Sequence, residues 1–163
     1  MKFSKLNRVL HRWGSIATLV PVGIIVATGV ILQLKKESSW VQPPTQKGAS
    51  KELAIGFEEI LQAVQQVASA EVESWDDVDR LDVRPSKGVV KVRCENRWEV
   101  QVDSKTGEVL QVAYRRSDML ESMHDGSFFH DYFKLWVFLP AGLTLIALWF
   151  TGVYLFLLPY ITK

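Results

Sequence analysis

Cysteine is almost absent from this chain. Cys94 is the only one in 163 residues, so no internal disulfide and no cysteine-built metal site can form. Its neighbours alternate between apolar and charged, which makes it a small core residue of a strand. Histidine is nearly as scarce, with His11, His124 and His130 alone. No cluster of Lys and Arg with interleaved aromatics occurs, so no nucleic-acid partner is indicated. No nucleophile–base pair, phosphate loop or zinc motif occurs either, and hydrolase or NTPase chemistry has no support. The net charge of +1 selects no partner.

Charge is missing altogether from two long stretches, Trp13 to Leu34 and Leu135 to Thr162. A bilayer core ~30 Å thick is crossed by ~20 apolar residues at ~1.5 Å of rise each. Both stretches satisfy that length, so the lipid bilayer is the first partner. Six Trp and eight Phe suit a protein with aromatics at both interfaces. The tail before the first stretch carries Lys2, Lys5, Arg8 and Arg12 and no acid. The positive-inside rule then keeps the N-terminus in the cytoplasm. The run is long for a signal peptide and lacks a convincing cleavage site, so it reads as an uncleaved signal anchor. The middle of the chain is translocated, and the second span returns the C-terminus to the cytoplasm. This predicts a bacterial inner-membrane protein with a periplasmic central domain.

The chain divides into a basic tail and first span (1–36), a linker (37–50), a soluble domain (51–116), and a connector with the second span (117–163). Pro43, Pro44 and Gly48 keep the linker irregular. Ser50 is placed to cap a helix of about five turns, whose stripe is Leu53, Phe57, Ile60, Leu61, Val64, Val67 and Ala68. Four period-2 runs follow: Leu81/Val83, Val90/Val92/Cys94, Trp98/Val100/Val102 and Leu110/Val112/Tyr114. Tight turns separate them, which predicts an antiparallel meander with one apolar face under the helix. The fold class is therefore an α+β membrane protein: two transmembrane helices bracket one helix on a four-stranded antiparallel sheet.

Val102-Asp103-Ser104-Lys105-Thr106-Gly107-Glu108-Val109 resembles the last hairpin of PepSY domains. Leu10-His11-Arg12-Trp13-Gly14, Thr28-Gly29-Val30, Met123-His124-Asp125-Gly126 and Thr151-Gly152 are similar to the flanks of the PepSY-associated transmembrane family. The resemblance covers nearly the whole chain. It implies an inner-membrane protein with a periplasmic PepSY-like domain, distantly similar to haem-containing reductases of ferric siderophores. Those relatives have about four spans and hold b-type haem on membrane histidines, whereas this chain has two spans. PepSY domains elsewhere inhibit or regulate proteases.

The resemblance makes His11, His124 and His130 candidate ligands of haem b. Each is equally accounted for as an interfacial side chain. His11 and His130 each precede a proline by ten residues (Pro21 and Pro140), and each helix then reaches Thr-Gly-Val. The two helices thus read as a partial repeat, with both prolines expected to kink them. One span separates His11 from the other two by roughly 25–30 Å. Axial nitrogens sit ~4 Å apart, given ~2 Å metal–nitrogen bonds. A bis-histidine site would then need a second copy of the chain or a larger membrane partner. Two readings stand. One is a haem-b electron-transfer subunit acting in iron or siderophore reduction or periplasmic redox chemistry, as a homo-oligomer or with a partner. The other is a non-catalytic, membrane-anchored module whose PepSY-like domain docks or restrains a periplasmic protein or membrane complex.

Overall fold

The computed structural model describes residues 3–161; Lys2 of the basic tail and Thr162 of the second apolar stretch lie outside them. Two compact units result. One comprises residues 1–32 and 120–163, the other Gln33–Met119.

In the first unit, α1 (Phe3–Gln33) and α5 (Leu139–Ile161) are the long helices. The segments Ser4–Gln33 and Asp131–Tyr160 are long and apolar enough to cross a membrane. Pro21 lies inside α1, as expected. Pro140 does not sit mid-helix. It is the second residue of α5, directly after a π-helical turn at Lys134–Phe138. Proline has no N–H to give the carbonyl four residues back, and the wider turn absorbs that break in the ladder. A short α4 (Asp131–Phe133) precedes the turn, and α3 (Arg116–Asp125) carries the chain out of the soluble unit.

The soluble unit is a meander of β1 (Val78–Arg84), β2 (Val89–Cys94), β3 (Trp98–Asp103) and β4 (Val109–Tyr114), antiparallel and in sequence order. On one face Leu81 pairs with Val92, which pairs with Val100, which pairs with Val112. Onto this face α2 (Phe57–Gln65) lays Ile60, Ala63 and Val64. Each large side chain so buried contributes about 1.5–3 kcal/mol. Cys94 belongs to the same core, 3% exposed. A bulge between Gln101 and Val102 shifts the last pairing. Val109, rather than Leu110, therefore faces Val102 and joins the core.

Helix α2 is shorter than the five turns its periodicity predicts, and Gly56 caps it in place of Ser50. The reason is tertiary. The backbone N–H groups of Ala54 and Ile55 donate to the Ser104 carbonyl at 2.8 and 3.3 Å, which keeps this stretch out of the helix. Glu59 then accepts the Gly56 N–H at 2.9 Å and starts the helix.

The linker is irregular but firmly strapped down. Gln101 donates to the Pro44 carbonyl at 2.9 Å and accepts the Gln46 N–H at 2.8 Å. Gly48 passes so close to Gly88 that a Cβ on Gly48 would lie 2.0 Å from the Gly88 carbonyl oxygen. Gly88 itself has φ +66°, a left-handed conformation that glycine adopts without strain. The sheet's second face is consequently not left to water. Lys91, Glu99 and Gln101 are buried there. Glu99 accepts from Lys91 at 3.2 Å, from Gln101 at 2.7 Å and from Arg115. These bonds offset the cost of burying the charges.

Asp103 ties the strap to the hairpin. Its carboxylate accepts the N–H groups of Ala49 at 2.6 Å, Lys105 at 2.7 Å and Thr106 at 2.9 Å. The Ala49 bond is the main reason its pKa lies below the ordinary aspartate value. A depressed folded-state pKa gives stability that is complete above about pH 4 and is lost as pH falls through the folded value. Asp103→Asn should therefore destabilise the soluble unit at pH 7 by about 1–3 kcal/mol. The gap from wild type should shrink towards pH 3, as read from thermal unfolding midpoints at both pH values. An equal gap at pH 7 and pH 3 would contradict this account.

Candidate functional site

Two of the three histidines meet a threonine across the helix pair, one near each end. On α1, His11 Nδ1 lies 2.8 Å from Thr151 Oγ1 of α5. His124, at the end of α3, places Nδ1 3.1 Å from Thr28 Oγ1 of α1. The glycine after Thr28 makes room for the ring: a Cβ on Gly29 would stand 3.3 Å from His124 Cε1, whereas one on Gly152 would stand 3.6 Å from His11 Cε1, an ordinary contact. Each threonine is thus a seat for an imidazole carried by the other segment. The Asn7 side-chain amide adds a donor to the Thr151 carbonyl at 3.3 Å.

Each threonine hydroxyl also reaches a backbone carbonyl of its own helix. Thr28 Oγ1 donates to the Ile24 carbonyl at 2.6 Å, and Thr151 Oγ1 donates to the Leu148 carbonyl at 3.0 Å. When a hydroxyl gives its one proton to that carbonyl, its oxygen is left to accept from the histidine. Nδ1 then carries hydrogen, and in the neutral ring Nε2 is the bare nitrogen, the form that binds a metal or takes a proton.

His130 is placed differently. It caps α4, and its Nδ1 accepts the Tyr132 N–H at 3.3 Å while the ring stacks on Tyr132. Its bare nitrogen is therefore already engaged. The repeat seen in the sequence joins His130 to Thr151 along one helix; in the structure, the histidine opposite His11 is His124, and each contact crosses from one segment to the other. Thr28 and Thr151 themselves were legible only as recurring Thr-Gly pairs, because a hydroxyl's partner depends on which helices pack.

His11 lines an apolar groove of about 560 Å³ with Thr18, Leu19, Val22, Leu145 and Trp149 among its walls. His124 lines a smaller pocket of about 270 Å³ with Ile25, Leu135, Phe138 and Leu139. Lys134, at the rim of that pocket, pairs with Asp125 at 2.8 Å. His11 and Thr28 stand seventeen residues apart on one helix, or about 25 Å at 1.5 Å per residue. With His124 on Thr28, the two imidazoles are separated by a similar distance and cannot share one iron. Among the described residues no cluster of three His, Cys, Asp or Glu side chains could hold a metal ion. The Cys94 thiol is pushed up to about 11, by burial first and by Asp77 second, and stays protonated at neutral pH.

Two membrane-length apolar helices bracketing a helix-on-sheet domain define a membrane protein of α+β construction. The model of the PepSY-associated TM region matches residues 8–158, and the chain belongs to that family. No curated protein and no solved structure matches it.

Replacing either threonine hydroxyl by a methyl group should release the tautomer. In 15N NMR of labelled protein, His11 should show an unprotonated Nε2 that becomes a tautomeric mixture in Thr151→Val. Thr28→Val should do the same to His124 and leave His11 unchanged. An Nε2–H tautomer at His11 in the wild type would refute the assignment.

Proposed function

We propose that the chain is an inner-membrane, haem-b-binding subunit for electron transfer. The observation that carries this reading is the 2.8 Å contact of His11 Nδ1 with Thr151 Oγ1 beside an apolar groove that His11 lines; with Nδ1 donating there, Nε2 is left bare. Metal-binding histidines commonly donate their second ring N–H to a neighbouring acceptor, which fixes the ring and raises its basicity. The groove's volume falls within the range of about 300–1,000 Å³ usual for small-molecule sites. The donor set therefore fits one imidazole ligand at His11, whereas the pocket at His124, about 270 Å³, falls below that range. When bound, haem supplies one-electron redox chemistry. The chain's own part is to orient each imidazole, hold its proton on Nδ1 and keep water from the apolar walls. The second axial ligand would come from another copy of the chain or a larger membrane partner, since the chain's own pair is about 25 Å apart. The uncompensated basic residues Lys5, Arg8 and Arg12 ahead of the uncharged run that starts at Trp13 support a cytoplasmic N-terminus and a periplasmic sheet domain.

A second reading has its own observation. Beside α2, Leu53, Phe57 and Val83 are exposed around an apolar groove of about 160 Å³. Such a groove supports docking of a periplasmic protein by a non-catalytic module.

Absorbance of the purified protein, expressed with haem supplied, separates the two. The haem reading expects a Soret band that shifts on reduction and is lost or halved in His11→Ala. Thr151→Val should weaken haem retention about 10–100-fold. Absence of any Soret band would end the haem reading. A periplasmic partner that co-purifies with a triple His→Ala variant, and is lost in Phe57→Asp, would establish the docking reading instead.

A further inference from the structure

A second cleft lies wholly within the soluble unit, about 530 Å³ in volume and distinct from the histidine grooves. Five cations line it: Lys35, Lys36, Arg84, Lys91 and Arg93. Only two carboxylates, Glu37 and Asp82, line it with them. Asp82 is shared, lying 2.7 Å from Arg84 and 3.8 Å from Arg93. Lys91 pairs with Glu99 at 3.2 Å, and Glu99 also serves Arg115, which holds Asp118 as well. Positive charge therefore outweighs negative in the cleft.

Two unmet polar atoms point the same way. Among the described residues, the buried side-chain atoms without a hydrogen-bond partner are Arg93 Nε and Gln42 Oε1. Both residues line this cleft. Arg93 Nε stands 4.0 Å from Glu99 Oε2, too far for a hydrogen bond. A buried donor left unmet is costly unless something supplies the acceptor. Gln42 can turn its amide about the last bond and offer its NH2 in place of the oxygen. Burial, and then the neighbouring guanidiniums of Arg115 and Arg80, pull the Arg93 pKa below the ordinary arginine value, against the opposing pull of Asp118 and Glu99.

Oxygen-rich anions match this lining. Arginine forks hold phosphate oxygens in pairs, and lysines add point charge. The volume far exceeds one phosphate and suits a phosphate with a substituent. Lys35 and Lys36 lie two and three residues beyond the end of α1 at Gln33, where a chain leaving a bilayer passes the headgroups. Lys and Arg held near an anionic membrane surface are drawn to its headgroups by charge. We propose that this cleft binds a phosphate-bearing anion, the headgroup of an anionic phospholipid, through Arg84, Arg93 and Lys36.

Calorimetric titration of the full-length protein in a neutral detergent tests this. The probes are dihexanoylphosphatidylglycerol, dihexanoylphosphatidylcholine and inorganic phosphate. The phosphatidylglycerol should bind at least about tenfold tighter than the phosphatidylcholine, and weaken as salt rises. Lys36 is exposed and the Arg84 side chain is half-exposed, so neither is needed for the core. The double variant Lys36→Gln/Arg84→Gln should lower that affinity about tenfold or more, with unfolding temperature unchanged. Arg93→Gln should lower it further. Phosphatidylglycerol that millimolar phosphate does not displace identifies the lipid headgroup as the source. Phosphate that binds alone, with the same sensitivity to the double variant, identifies a free anion held by the same residues. Equal affinity for the two lipids without phosphate binding, or no loss in the double variant, overturns the proposal.

Discussion

The contact between a histidine and a threonine of another segment is the constraint on which the membrane unit depends. When Thr28 and Thr151 give their hydroxyl protons to the Ile24 and Leu148 carbonyls, their oxygens are left to accept. The imidazole facing them then brings the proton, so ring orientation and tautomer are decided together. Backbone bonding of this kind is common for threonine within helices. Here it has a second consequence, because the acceptor sits between two segments. The following glycine is part of the same device, since any side chain at Gly29 would crowd His124.

Distance then limits what the paired histidines can do. A membrane-spanning helix of about 25 Å between His11 and Thr28 keeps the two imidazoles at different depths. They stand apart and do not form one centre. Under the proposed haem reading His11 contributes one ligand, and the completed coordination sphere belongs to an assembly. The docking reading makes no use of this separation, which is why a spectrum distinguishes them better than any argument from fold.

The soluble unit solves a different problem. A single short helix covers one face of the sheet, and the other carries Lys91, Glu99 and Gln101. Those side chains are buried, and bonds among themselves and to the strap keep them satisfied. The Val-Asp-Ser-Lys-Thr-Gly hairpin is accordingly structural: Asp103 and Ser104 fasten residues 49–55 to the sheet's end. The basic cleft at the strap's start is where satisfaction is incomplete, with Arg93 Nε and Gln42 unmet.

Much of this architecture follows from local pattern. Uncharged runs of membrane length, period-2 alternation and turn residues act over a few neighbours, so the two long helices, the four strands and the helix-on-sheet arrangement were readable in order. Cys94 as a core residue was readable for the same reason. Other features depend on residues far apart in the chain. The shortening of α2 needs the Ser104 carbonyl, the bulge that admits Val109 needs β3, and the π-turn before Pro140 needs a helix that can widen. The candidate site shows the division most clearly. The scarcity of histidine and the recurring Thr-Gly pairs were visible from the start. Which histidine meets which threonine, and which nitrogen is left bare, was decided only when two segments packed, because a hydrogen bond depends on atoms within about 3 Å and the sequence does not say who the neighbours are.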